Sequence, residues 1–357
     1  MAGRFFRNEV SMNWYCSHSM AHFGTAGIPW EENQNSCEIT IPNNLTGSKV
    51  RVNFSNRYGK EELVLAGVWV SCGKTEARLL FDGERSAAIE AGSRLLSDAL
   101  DFPVKAGESI TIRIQFADTK KPESGFVYHQ KAVMGYEALD VYCENEPKVI
   151  VGFGDSITWL DIWTGPIRER LHKEYTGLAS VQNKGISGNR FLSDSDPIQL
   201  DTRGDSGYRR FSEDVLQVAG VSHVIFALGT NDLGYLSTEL SQAKQEEFVE
   251  QFTDALRSMT ERMQEQGIMT IGTPILPRKN SERFPFLTCA EKMRQEINRF
   301  ITESGCFDVV IDWADFVAAD NGEEGMKPEY DSDGLHPSVA GGKAMAEYLW
   351  ESYTFGL

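Results

Sequence analysis

Val149-Ile150-Val151-Gly152-Phe153-Gly154-Asp155-Ser156 is the stretch that decides the fold. A continuous apolar run of this kind fits a strand covered on both faces, as the strands of a parallel sheet are. Gly152 and Gly154 permit a tight turn where the run ends. Downstream the pattern repeats. A helical stretch follows at roughly 158–175, and residues 221–228 form a second buried strand. Within 239–266 the apolar residues Phe248, Phe252, Leu256, Met259 and Met263 recur every three or four positions, which is a helix stripe. Residues 269–274 read as a third strand, 288–303 as a helix, 309–312 as a fourth strand and 340–350 as a closing helix. Strands alternating with helices predict a doubly wound, mostly parallel α/β sheet with its chemistry at the carboxyl ends of the strands.

Upstream the grammar differs. Val50-Arg51-Val52-Asn53-Phe54 and Ile110-Thr111-Ile112-Arg113-Ile114-Gln115-Phe116 alternate apolar and polar residues, the period of half-buried strands. Residues 63–70 and 138–142 add further strands, and turn signals at 42–44, 58–60, 81–83 and 105–108 separate them. Short strands without a long amphipathic helix predict an all-β sandwich or jelly roll over 1–147. The polar segment 143–148, with Pro147, is a linker, so the expected division is 1–147 and 148–357.

The chain has 357 residues, 41% apolar and 24% charged, enough to bury a full core. Its 35 basic and 52 acidic residues give a net charge of −17. This argues against gripping a nucleic-acid backbone or an anionic membrane surface, both of which want clustered Lys and Arg. No apolar run approaches the roughly 18 residues of a membrane span. The first ten residues have no apolar leader core, and the six scattered cysteines read as reduced thiols, so a cytoplasmic location is expected, with secretion the alternative if a leader has been removed.

Four short blocks can carry chemistry. Ser156 follows the first strand at a helix N-terminus, where its hydroxyl can attack a carbonyl while its own N–H binds the oxyanion; Asp155 or Ser156 can equally serve as a plain N-cap. Gly229-Thr230-Asn231-Asp232 follows the second strand, and the Asn231 amide can donate to an oxyanion or cap the next helix. Between them, Gly185-Ile186-Ser187-Gly188-Asn189-Arg190 offers the Gly188 N–H. Near the end, Asp331-Ser332-Asp333-Gly334-Leu335-His336-Pro337 sets a carboxylate three residues before an imidazole. Asp333 can then hold Nδ1–H and leave Nε2 as a base; Asp331 is the alternative acid.

Taken together and in this order, the four blocks resemble those of the SGNH (GDSL) hydrolase superfamily over 149–350. Arg51-Val52-Asn53-Phe54-Ser55-Asn56 and Ser97-Asp98 are similar to the β-rich N-terminal module of some bacterial members. Ile157 stands where the family's common name has Leu. The resemblance implies a serine esterase with Ser156 as nucleophile, His336 as base, Asp333 as acid, and an oxyanion hole of Ser156, Gly188 and Asn231. It implies an acyl-enzyme and no metal or other cofactor. The expected substrate is a short-chain, foremost acetyl, ester of a small molecule or carbohydrate. Lipase action on longer esters, or glycan binding by a degenerate hydrolase domain, are the alternatives. A nucleotide-binding reading lacks its glycine motif after the first strand.

Other residues invite secondary readings. His18 and His22 have the spacing of a metal pair on a helix. Trp14, Tyr15, Trp30 and Trp69 fit core packing or a sugar platform. Arg190, Arg203, Arg209 and Arg210 fit a solvated loop face or contacts to an anionic substrate group. Trp159 and Trp163 fit either an acyl pocket or helix packing.

Overall fold

The computed structural model describes residues 13–194, 200–282, 284–320 and 324–357. The leader reading of the first ten residues lies outside them.

In the N-terminal half, alternation becomes antiparallel pairing. Trp14–Ser19, Tyr136–Tyr142, Gly47–Ser55 and Arg94–Leu96 lie side by side in that order, with Leu100–Val104 also on Gly47–Ser55. A second sheet runs Ser36–Pro42, Ser109–Phe116, Leu63–Cys72, Thr75–Arg78, and Ala87–Ile89 joins Leu63–Cys72. Val50, Val52 and Phe54 from the first sheet and Ile110, Ile112 and Ile114 from the second are fully buried in one apolar cluster. Burying each such side chain contributes about 1.5–3 kcal/mol. This is the expected β-rich sandwich. One expected turn is held by left-handed Asp82 and Gly83, which join the bridged pair Phe81 and Glu84.

The C-terminal half is a parallel sheet in the order Ala179–Gly185, Lys148–Gly154, Val221–Ala227, Met269–Gly272, Val309–Val310. The run at 149–153 is unbroken because its side chains feed two cores in turn. Val149, Val151 and Phe153 join the cluster shared with the sandwich, and Ile150 joins a second cluster built on Trp163, Trp313, Met345 and Leu349. Helices Gln242–Gln264 and Thr288–Glu303 cover the first face, and Thr164–Glu174 and Val339–Ser352 the other.

Two features depart from expectation. The helix expected at roughly 158–175 is two helices, Ser156–Trp159 and Thr164–Glu174. Between them Asp161 is left-handed at φ 59°, and its carboxylate accepts from Thr164, Arg168 and Asn183. The sheet also has a strand, Ala179–Gly185, that hydropathy does not reveal. Its sequence is Ala-Ser-Val-Gln-Asn-Lys-Gly, yet every residue is buried. Its polar side chains bond to the first strand of the sandwich. The Ser180 hydroxyl and the Gln182 amide donate to the Cys16 carbonyl at 2.6 and 2.9 Å, and Lys184 Nζ donates to the Met20 carbonyl at 2.9 Å. The edge of the parallel sheet is thereby covered by the other half of the chain, which protects it from stray pairing.

Lys184 is 1% exposed, and its Nζ also lies 3.7 Å from Asp214. Lys184→Met leaves a buried carbonyl without its donor and should lower the unfolding free energy by about 2–3 kcal/mol. Urea denaturation should show a lower midpoint at unchanged slope; an unchanged midpoint would mean that these contacts do not hold the halves together.

Candidate active site

Ser156 opens the short helix after the Lys148–Gly154 strand. The N-cap is Asp155, whose carboxylate accepts from the Ile157 N–H at 3.0 Å. Ser156 is therefore not the cap, and its Oγ lies 2.9 Å from His336 Nε2. Nδ1 of the same ring faces Asp333 Oδ2 at 3.1 Å and Oδ1 at 3.2 Å. A carboxylate only accepts, so Nδ1 carries the proton and Nε2 is left to accept from the serine hydroxyl. Burial works against ionisation of Asp333, but the His336 N–H and imidazole bonded to it hold its pKa below the ordinary value. Asp331 points elsewhere: it accepts the N–H groups of Asp333 and Gly334 at 3.0 and 2.7 Å and shapes the turn. The Phe284 ring stands edge-on to His336 at 5.9 Å.

Of the other oxyanion candidates, Gly188 lies on a loop and Asn231 in the short helix Thr230–Gly234, and the two segments are tied together. Gly188 is left-handed at φ 73°. Asn231, 8% exposed, donates from Nδ2 to the Asn189 carbonyl at 3.0 Å and keeps a second N–H. Among the described residues no acceptor takes the N–H of Ser156 or of Gly188. Asp232 binds the same loop from below, accepting from Phe191 N and Leu192 N at 2.7 and 2.9 Å.

Arg210 lies neither on a solvated face nor toward an opening. It is fully buried and donates to the carbonyls of Gly154 (2.8 Å) and Lys184 (3.0 Å), to Asn189 Oδ1 (3.0 Å) and to Asp214 (2.8 Å). One guanidinium thus fixes the end of the nucleophile's strand, the neighbouring strand and the Gly188–Asn189 loop. The sequence marks it only by an i,i+4 acidic partner, a spacing common on any helix. Arg209 pairs with Asp194 at 2.9 Å. Arg190 and Arg203 both approach the Tyr235 ring, at 5.7 and 4.9 Å.

The remaining candidates fall away from the site's chemistry. His18 is on a strand and His22 follows it, not on a helix. His22 Nε2 donates to the Tyr136 carbonyl and Nδ1 meets Ser124 Oγ at 2.9 Å, while His18 Nδ1 meets Tyr136 Oη at 3.1 Å. Burial pushes their pKa values down to about 3 for His18 and about 4 for His22. Trp14 packs edge-on against Tyr142 and Trp30 leans on Phe116. Trp69 is flanked by Arg78 and Arg113, at 5.0 and 4.1 Å. Trp163 is core, packed on Trp313, and Trp159 is half-buried.

A hydroxyl, an imidazole and a carboxylate in line, beside the Ser156 N–H at a helix N-terminus and the Gly188 N–H on its loop, can carry out acyl transfer. A model of GDSL-like lipases/acylhydrolases matches residues 150–349. The chain belongs to the GDSL-like lipase/acylhydrolase family. It is a hydrolase of ester bonds, and the match spans all four blocks. No curated protein matches this chain. Among solved structures it is similar to a GDSL-like lipase from Bacteroides thetaiotaomicron, at 20% identity and a TM-score of 0.42 over 59% of this chain and 90% of that one. It is also similar to an acetyl xylan esterase, at 20% identity and a TM-score of 0.43 over 57% and 98%. Among the described residues no helix of this GDSL-family chain is long and apolar enough to cross a membrane.

Burial, aided by their mutual repulsion, pushes Asp155 up to about 7; burial likewise lifts Asp232 to about 6. The folded chain therefore holds protons there that the unfolded chain has released, and these groups cost stability as pH rises from about 4 to about 7. Asp155→Asn, which can still accept from Ile157, should make the unfolding free energy fall less steeply across that window than in the wild type. Urea titrations at stepped pH check this; an identical slope would contradict it.

Proposed function

We propose that the protein is a serine esterase for short acyl groups, acetyl foremost, on a small-molecule or carbohydrate alcohol. The observation that carries the reading is the unbroken line from Asp333 through His336 to Ser156 Oγ. Ser156 attacks the ester carbonyl as His336 takes its proton, and Asp333 fixes the imidazole tautomer and favours the imidazolium. The N–H groups of Ser156 and Gly188 and the Asn231 amide receive the oxyanion. His336 then protonates the leaving alcohol, and water activated by the same ring releases the acyl group. No step calls for a metal or another cofactor.

The short-acyl preference rests on the sequence, in which no long apolar lid segment is evident. The acetyl xylan esterase among the similar structures is in keeping with a carbohydrate alcohol. We further propose residues 1–147 as an accessory β module that braces the catalytic part, residues 148–357. The six unpaired thiols are in keeping with a reducing, cytoplasmic compartment.

Ser156→Ala should keep the fold and lower kcat by about four to six orders of magnitude, since such residues act as a unit. Asp333→Asn should lose several orders of magnitude and Asp331→Asn much less, because only Asp333 faces the ring. Across p-nitrophenyl esters from acetate to palmitate, kcat/KM should be highest for the shortest chains. Near-normal turnover by Ser156→Ala, or a preference for chains of ten or more carbons, would refute the reading.

A further inference from the structure

Arg278 is buried and, among the described residues, forms no salt bridge. It is 6% exposed. Among the described residues its Nε has no hydrogen-bond partner, and Nη2 reaches only the Phe284 carbonyl at 3.4 Å. The guanidinium stacks 4.6 Å over the Phe286 ring, and Nη1 presses against Gly234, where any side chain would collide with it. Among the described residues no carboxylate comes within 4 Å of it. Asp333 is near enough to act on it electrostatically, but its oxygens serve His336. A buried guanidinium without a charged partner is costly to keep in the folded chain. Such an arrangement is hard to understand as scaffolding in a chain with 52 carboxylates and a net charge of −17.

Arg203, half-buried, is a second arginine at the site. Its Nη1 lies 2.8 Å from the point where a Cβ on Gly188 would stand, so the guanidinium packs directly on that glycine. Its guanidinium lies 4.9 Å from the centre of the Tyr235 ring, and Tyr235 directly follows Gly234, against which Arg278 rests. No carboxylate among the described residues pairs with Arg203 either. Burial and the neighbouring Arg190 depress its pKa. Arginines that serve the scaffold look different: Arg57 pairs with Asp205 at 2.7 Å, and Arg209 with Asp194 at 2.9 Å.

We propose that Arg278 and Arg203 form an anion-binding subsite that receives a carboxylate or phosphate carried by the substrate close to its scissile ester. The inference rests on the esterase reading above and narrows its substrate to acyl esters of acidic alcohols, such as an acetylated uronic acid or an acetylated sugar phosphate. A guanidinium fork matches the oxygens of either group. Arg203 packs on Gly188, and Arg278 donates to the carbonyl of Phe284, whose ring stands edge-on to His336, so both arginines border the site. Negative charge elsewhere on the surface would repel an acidic substrate at long range, and local cations offset this where the ester must bind.

The test compares kcat/KM of the full chain for three acetyl esters of one sugar: the neutral sugar, its uronic acid and its phosphate. The wild type should favour at least one charged ester over the neutral one by about tenfold or more, the worth of one good charge-assisted pair. The leading ester tells carboxylate from phosphate. Arg203→Gln and Arg278→Gln should each bring that ratio down toward unity. Arg278→Met should also raise the melting temperature, because it removes an unpaired buried charge. Equal rates for the three esters in the wild type, which needs no variant to fold, would overturn the subsite. An unchanged ratio in a folded Arg203→Gln would also overturn it. Failure to hydrolyse any ester, p-nitrophenyl acetate included, would overturn the esterase reading and the subsite with it.

Discussion

The geometry of the site depends on the Arg210 guanidinium. It is fully buried, and its donors reach two strand-end carbonyls, the Asn189 side chain and Asp214. Burial depresses its own pKa and opposes ionisation of Asp214, but Lys184, Arg210 and Arg57 together hold Asp214 below its ordinary value. An arrangement with both charges formed is tolerable only because nearly every donor and acceptor is used. It fixes the Gly188–Asn189 loop in place, and the proposed oxyanion hole would need donors set before charge develops.

That platform is also braced by the sandwich. Arg57 bonds to Asp205 and Glu213, and Tyr58 Oη accepts from Asp205 N at 3.0 Å. Asn189 Nδ2 in turn donates to the carbonyls of Arg203 and Asp205 at 2.8 and 2.7 Å. A continuous chain of polar contacts therefore runs from a turn of the first half to the loop that carries Gly188. With the buried polar edge strand between them, the two halves are coupled where precision at the site is required.

Much of this was legible in the sequence, for definite reasons. The strand at 149–153 announced itself because two cores demand apolar residues on both faces. The stripe from Phe248 to Met263 was visible because one face of that helix is buried. Ser156, Asn231 and His336 stand out in the sequence because turn residues follow the strands there and because the blocks come in the order of the family they resemble. The strand at 179–185 was hidden because its polar side chains are satisfied by backbone groups of a distant segment, and hydropathy cannot register such partners. Asp161 broke a helix because its left-handed turn is stabilised by Arg168 and Asn183, which a local pattern does not reveal. Arg210 and Arg278 look like surface arginines in the sequence; only the fold shows that one is saturated with partners and the other is nearly bare.

The most direct test of the central claim is covalent labelling of the intact chain with a fluorophosphonate, followed by peptide mass spectrometry. The account predicts one phosphonyl group, on Ser156, with the rate of labelling falling by orders of magnitude when His336 is replaced by Ala. Label carried by another residue, or Ser156 labelling that is indifferent to His336, would contradict it.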